Sequence, residues 1–364
     1  MLEEKRLAFL RQYMETICPS GCEEGASQLW RNRADTFADR TWVDTHGNSF
    51  AVVNEGGSPR VMLAGHTDEI GLMVSYIGDK GFLSFKPIGG WDRQVLPGQR
   101  VRILGRNADL GPILGVIGRK PIHLMKKKDR EKVVEIEDLW IDIGVHDKEE
   151  AESIVSVGDA AVLDYGFEIL RNDIVVARAF DNRIGAFAIL EAARLLSKMN
   201  LDAAVYAVAT VQEEIGLRGA TTSAFGIDPQ VGIAVDVGFA TDTPGMDKAK
   251  QSENYIKLGD GPLIARGPNI NPRLFDLIVR NADEHNIPYQ VVAWARGTGT
   301  DANAIQLTRA GVATGLISIP NRYMHSPCEL VHMGDVENVA KLIAYTVECI
   351  DNKTNFIPGL FQVL

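Results

Sequence analysis

Apolar residues fall into two regimes along the chain. In the first, short apolar runs alternate with segments of helical spacing. Arg60–Gly65 (RVMLAG) and Ala203–Val211 (AAVYAVATV) are almost continuous in Ala and in large or β-branched apolar residues. That pattern predicts strands covered on both faces. Further strands are predicted at Gly232–Val237, Tyr289–Ala295 and Val312–Ile319. Between them, residues 182–199 repeat apolar positions at helical spacing, with Glu191, Arg194 and Lys198 as a polar stripe. Another helix is predicted over Pro272–Glu284, opened by a proline in its first turn. A last one, over Asp335–Cys349, buries Val336, Val339, Ile343 and Val347. Near the start, Leu7, Leu10, Met14 and Ile17 recur at helical spacing with charges between them, which predicts an amphipathic docking helix. Strands alternating with helices imply an α/β fold, a three-layer sandwich around a mostly parallel central sheet.

The second regime runs from about Leu72 to Asp164. Short alternating segments such as Gly81–Lys86, Arg100–Leu104 and Ile113–Gly118 are separated by Gly and Pro, with little helical periodicity. This predicts a small β-barrel inserted into the α/β domain, with one short helix from the acidic stretch Asp147–Ser153. The expected organisation is a catalytic domain over residues 1–71 and 164–364, and an inserted β-rich domain over residues 72–163.

Composition narrows the function. The chain has 364 residues, is 45% hydrophobic and 24% charged, and carries a formal net charge of −10. That balance disfavours nucleic acid and anionic membrane as partners, since both need clustered positive charge. The basic run Lys126–Lys128 with Arg130 and Lys132 is broken by Asp129 and Glu131 and reads as a solvated loop. Cys18, Cys22, Cys328 and Cys349 form neither a disulfide framework nor a zinc knuckle. The N-terminal segment, with charges between its apolar positions, reads as a docking helix and not as a signal peptide, and no apolar run reaches membrane-spanning length, so a cytoplasmic location is expected.

Chemistry gathers at strand ends, where open α/β sheets hold their ligands. His66, Thr67 and Asp68 follow RVMLAG, and Asp181 follows the apolar ARAF. Glu213 and Glu214 end the run Ala203–Val211. Asp236 sits inside GIAVDVG, and His325 follows the strand Val312–Ile319. Each has a bland reading: Asp181 as a helix cap, Asp236 as a buried hydrogen-bond partner, either histidine as a packed ring, the glutamate pair as a wetted strand end. Together, two histidines and several carboxylates at one sheet edge suit divalent ions such as zinc, cobalt or manganese.

Five motifs in order, His66-Thr67-Asp68, Ala179–Arg183, Gln212–Gly216, Val235–Gly238 and His325-Ser326-Pro327, resemble the M42 family of dinuclear-metal aminopeptidases. The resemblance extends over nearly the whole chain, through Pro19-Ser20-Gly21, Gly118–His123 and Gly299–Ala302. It implies a metal-dependent aminopeptidase with two divalent ions, zinc foremost and cobalt or manganese as alternatives. Asp181 would be shared, His66 and Asp236 would complete one position, and Glu214 and His325 the other. Glu213 would be the general base, and Asp68 would orient the His66 ring. Neighbouring residues of an extended segment point opposite ways, which would let Glu214 face a metal while Glu213 faces substrate. Metals about 3.5–4 Å apart would lower the pKa of a shared water, and Glu213 would carry its proton to the leaving amine. In related folds the peptide bond after the shared aspartate is cis, so Asp181–Asn182 is expected to be cis. The family also implies a homo-oligomer, dimers assembling into a hollow dodecamer that admits peptides, with the inserted domain as its builder.

Three further residues enter as candidate substrate contacts. Thr300 and Asp301 would line the pocket, with an N-cap for a helix Ala302–Arg309 as the alternative for Asp301. His123 has a structural turn as its alternative. A deacylase or carboxypeptidase on the same metal pair is the second functional reading, and would need a cationic clamp from Arg266, Arg273 or Arg296. A glycoside hydrolase is disfavoured, because its two carboxyls must stand about 5–9.5 Å apart across a sugar. A non-catalytic scaffold leaves Glu213 beside Glu214 unexplained.

Overall fold

A computed structural model describes residues 3–105, 111–247 and 254–359. An eight-stranded sheet forms its centre, in the order Arg40–Val43, Ser49–Val53, Ala204–Thr210, Arg60–His66, Val231–Phe239, Ala313–Asn321, Leu263–Arg266 and Gln290–Ala293. The four middle strands run parallel. Their neighbours, Ser49–Val53 on one side and Leu263–Arg266 on the other, pair antiparallel to them. The fold is therefore the expected sandwich with a mixed rim. The hairpin Arg40–Val53 was not predicted from the sequence, because its outer strand is half-exposed and only four residues long.

Consecutive strand residues face opposite sides of a sheet, and two glycines expose both layers. A side chain at Gly232 would strike Ile305 of the helix Asp301–Gln306. Gly315 lies in register with Ile233, on the other face, where it meets Leu274 and Ile278 of the helix Pro272–Glu284. Helices thus cover both faces. The helix Phe180–Leu196 packs at the middle and is buried almost all round. Its polar stripe is exposed only at Lys198, beyond the helix end, while Glu191 is buried and paired with Arg6 and Arg194, each at 2.8 Å. The N-terminal helix Glu4–Glu15 docks through Leu10, Tyr13 and Met14.

The insertion is a closed six-stranded barrel, built from Gly71–Ile77, Leu83–Ile88, Leu139–Asp142, Ile113–Arg119, Arg100–Ile103 and Ala160–Leu163. Alternate residues such as Leu72, Val74, Leu83, Phe85, Val101, Ile103 and Ile141 fill it as a core of its own. The predicted acidic helix is Lys148–Ile154, capped by the Asp147 carboxylate on the Glu150 N–H. A small antiparallel sheet, Glu168–Ile169, Ile174–Ala177 and Glu329–His332, is separate from the central sheet and the barrel, contributes Val175, Ala177 and Val331 to the main core, and was not foreseen. Among the described residues no helix is long and apolar enough to cross a membrane, and the four cysteines are free thiols.

Candidate metal centre

Neighbouring parallel strands deliver the polar residues together. His66 ends its strand in register with Thr210, which ends the next. Asp236 stands two residues beyond Ala234, the last residue of its strand paired to the His66 strand. Asp181 opens the central helix with non-helical backbone, and its bond to Asn182 is cis, as the resemblance implies. His325 follows the strand Ala313–Asn321. Non-glycine residues in the left-handed region cluster here, at Ala179, Gln212, Tyr323 and His325. Such backbone is uncommon and persists where surrounding contacts impose it.

Asp181 is the hub. Its Oδ1 lies 3.3 Å from His66 Nε2, and its Oδ2 lies 3.2 Å from His325 Nε2. Glu213 Oε2 stands 3.6 Å and Asp236 Oδ1 3.9 Å from His66 Nε2, while Glu214 Oε2 is 3.5 Å from His325 Nε2. Among the described residues two groups have ligand atoms mutually within 4.8 Å: His66 with Asp181 and Glu214, and His66 with Glu213 and Asp236. Geometry alone therefore brings both glutamates to the centre. The pair is not on an extended segment, contrary to the expectation. The strand stops at Thr210, Gln212 turns left-handed, and the Glu213 carbonyl accepts from the N–H groups of Gly216 and Leu217. A tight turn, not strand alternation, separates the two carboxylates.

Asp68 holds that turn. Its Oδ1 accepts from the Glu213 N–H at 3.1 Å, and its Oδ2 from the Glu214 N–H at 3.2 Å and the Ser20 hydroxyl at 2.6 Å. Asp68 Oδ1 is also 3.4 Å from His66 Nδ1. It therefore touches the ring, as the resemblance implies, and also seats both glutamates. Glu23 supports the same turn by accepting from the Gln212 N–H at 3.1 Å.

The electrostatics are those of crowded buried acid. Burial, with Asp236, Asp301 and Glu214 nearby, pushes Glu213 up to about 10 despite His66. Burial likewise raises Asp236 and Glu214. Burial opposes charge on Asp181 too, but hydrogen bonds from His325 and His66 outweigh it and hold the carboxyl below its ordinary value. Both histidines pay for burial and are nonetheless raised by the carboxylates around them, His325 to about 11. Protons shared among so many carboxylates are what a divalent cation replaces. Glu214 Oε1 is buried with no hydrogen-bond partner, an oxygen left open to ligate in a cluster of hard oxygen and imidazole groups. The donor set fits zinc, cobalt or manganese.

Asp301 is buried beside this cluster, pushed up to about 6 by burial and by Asp68. Its Oδ2 accepts from the Thr210 hydroxyl at 2.6 Å, and its Oδ1 has no partner. It is not a cap: Thr300 holds that position, without a side-chain cap bond, and the Thr300 hydroxyl meets that of Thr298. The helix is Asp301–Gln306, shorter than expected. His123 lies in an exposed turn, Ile122–Leu124, and no contact among the described residues joins it to the cluster. The sequence reading missed Glu69, Arg178, Arg183 and Glu329. The first three form a buried network, with both arginines on the Glu69 carboxylate. Arg183 also donates to the carbonyls of Thr67 and Thr16. Charged residues inside apolar runs, as in ARAF and FDNRIG, were the available signal.

A model of the M42 glutamyl aminopeptidase family matches residues 47–342. The lysyl aminopeptidase of Pyrococcus furiosus is 41% identical over 342 residues, 93% of this chain and 96% of that protein. The crystal structure of a TET aminopeptidase from the marine sediment archaeon Thaumarchaeota archaeon SCGC AB-539-E09 has a TM-score of 0.90 at 36% identity, covering 96% of this chain and 98% of that one. The TET1 peptidase of Pyrococcus horikoshii, described as assembling into a tetrahedron or a large octahedral shell, has a TM-score of 0.83 at 33% identity and covers 95% and 100%.

Proposed function

The chain belongs to the M42 glutamyl aminopeptidase family and is an aminopeptidase; on that premise we propose that it works through two divalent metal ions sharing Asp181. The observation that carries this reading is the stance of the Asp181 carboxylate, one oxygen toward each histidine. His66 and Asp236 would complete one position, and Glu214 and His325 the other. When bound, the cations supply Lewis acidity that activates water and stabilises the oxyanion of the attacked carbonyl.

The chain's own residues do the rest. Glu213 takes a proton from the attacking water at its Oε2 side and returns it to the leaving amine. Burial holds its carboxyl above the ordinary glutamate range; with cations on the neighbouring carboxylates the like-charge repulsion would be removed, leaving Glu213 ionised and a better base than an exposed glutamate. Asp68 fixes the direction of Glu213 and Glu214 through their backbone N–H groups and keeps the His66 ring in place. Asp301, whose charge acts on Glu213, would give an acidic wall suited to the free α-amino group of a peptide, with Thr300 next to it in the chain. His123 lies in the exposed turn Ile122–Leu124 and is given no part in this single-chain scheme. The assemblies described for the TET1 relative, together with a barrel that has its own core, support a homo-oligomer in which the insertion makes the contacts between copies.

The test is chelation followed by metal analysis and re-addition of zinc, cobalt or manganese, assayed on aminoacyl-anilides and N-acyl analogues in parallel. Activity should vanish with the metal, return with two equivalents per chain, and be confined to substrates with a free amino terminus. Hydrolysis of the N-acyl substrates instead would favour a deacylase.

A further inference from the structure

One side chain outside the ligand set touches two of its members. Glu329 is buried, and its Oε2 accepts from the Asp181 N–H at 2.8 Å while its Oε1 accepts from the His325 N–H at 2.9 Å. The first bond spans 148 residues of chain and the second spans four. Both ligands lie on backbone that needs such a hold: Ala179, two residues before Asp181, has φ 64°, and His325 itself has φ 58°. Glu329 is in turn placed by the small sheet. It opens the strand Glu329–His332 opposite Ala177, at the end of the strand that leads into Asp181. Two parts of the chain that share no sheet hydrogen bond at the centre are thereby tied to one carboxylate.

We propose that Glu329 is a positioning residue for the metal position on the His325 side, pinning Asp181 and His325 together through their backbone N–H groups. The inference rests on the dinuclear reading above. It is asymmetric. Of the three residues assigned to the His325 side, Asp181, Glu214 and His325, two are held by Glu329. Of the three on the other side, His66, Asp181 and Asp236, only one is. Groups that orient metal ligands typically govern affinity by about 10–100-fold when removed, and the asymmetry directs most of that loss to one cation.

The experiment is calorimetric titration of the chelated full-length protein with Zn²⁺, comparing wild type, Glu329→Gln and His325→Ala. The glutamine amide keeps the volume but presents an N–H₂ donor to one of the two backbone donors. His325→Ala marks which equivalent belongs to the His325 side. In Glu329→Gln that same equivalent should weaken about 10–100-fold while the other changes far less. Two equivalents binding as in wild type would overturn the inference, and so would equal weakening of both. Near-ultraviolet circular dichroism of the chelated variant checks its fold. Should the glutamine variant not fold, Glu329→Asp, which keeps the charge but withdraws it by one methylene, is held to the same criterion. Wild-type protein taking up fewer than two equivalents would overturn the dinuclear reading, and this inference with it.

Discussion

At the scale of single residues, the proposed mechanism gives two adjacent glutamates different work. The proposed base, Glu213, differs from Glu214 in what faces it: His66 at 3.6 Å for the first, His325 at 3.5 Å for the second. Glu213→Gln keeps the shape and the backbone bond to Asp68 but removes the proton carrier. It should lower kcat by about 10²–10⁴-fold while leaving metal content at the wild-type level, read by steady-state kinetics beside elemental analysis. Loss of metal without a larger loss of rate per bound metal would make Glu213 a ligand and not a base. Adjacency of the two acids was legible in the sequence. The device that separates them was not, because a left-handed Gln212 leaves no mark in composition.

At the scale of elements, the ends of the N-terminal segment, the His66 strand and the central helix meet on one buried guanidinium. Arg183 is fully buried, pairs with Glu69 and donates to carbonyls as distant in sequence as Thr16 and Thr67. Breaking a buried pair from one side leaves an uncompensated charge and costs about 3–5 kcal/mol. Glu69 keeps Arg178 as a second partner, so Arg183→Ala should fall near the lower end, about 3 kcal/mol, measured by chemical denaturation of the metal-free protein. Stability within about 0.5 kcal/mol of wild type would show that the network does not hold these elements. The alternation of strands and helices was predictable, since periodicity is local. The network was not, because its partners come from three separate stretches of chain, around Thr16, Thr67–Glu69 and Arg178–Arg183.

At the scale of the whole molecule, the barrel closes on its own core and still touches the centre. Gly89 packs on Ile70, and a side chain there would come within 3.4 Å of Glu214 Oε2. Trp91 donates to the Gly71 carbonyl at 2.8 Å. The insertion is thus a wall of the site as well as the proposed contact between copies. Light scattering should give a particle many times the 39.8 kDa of one chain. A monodisperse monomer would retire the assembly.

Sequence by itself determined the alternation of elements, the inserted barrel, and the candidate ligands at strand ends, because burial periodicity and the chemistry of His, Asp and Glu are properties of short stretches. Only the tertiary structure decided that Asp181 would offer one oxygen to each histidine, that Asp68 would seat both glutamates, and that Glu329 would clasp Asp181 and His325. Those contacts join segments up to 148 residues apart, and a hydrogen bond between distant segments exists only once packing has brought them within about 3 Å.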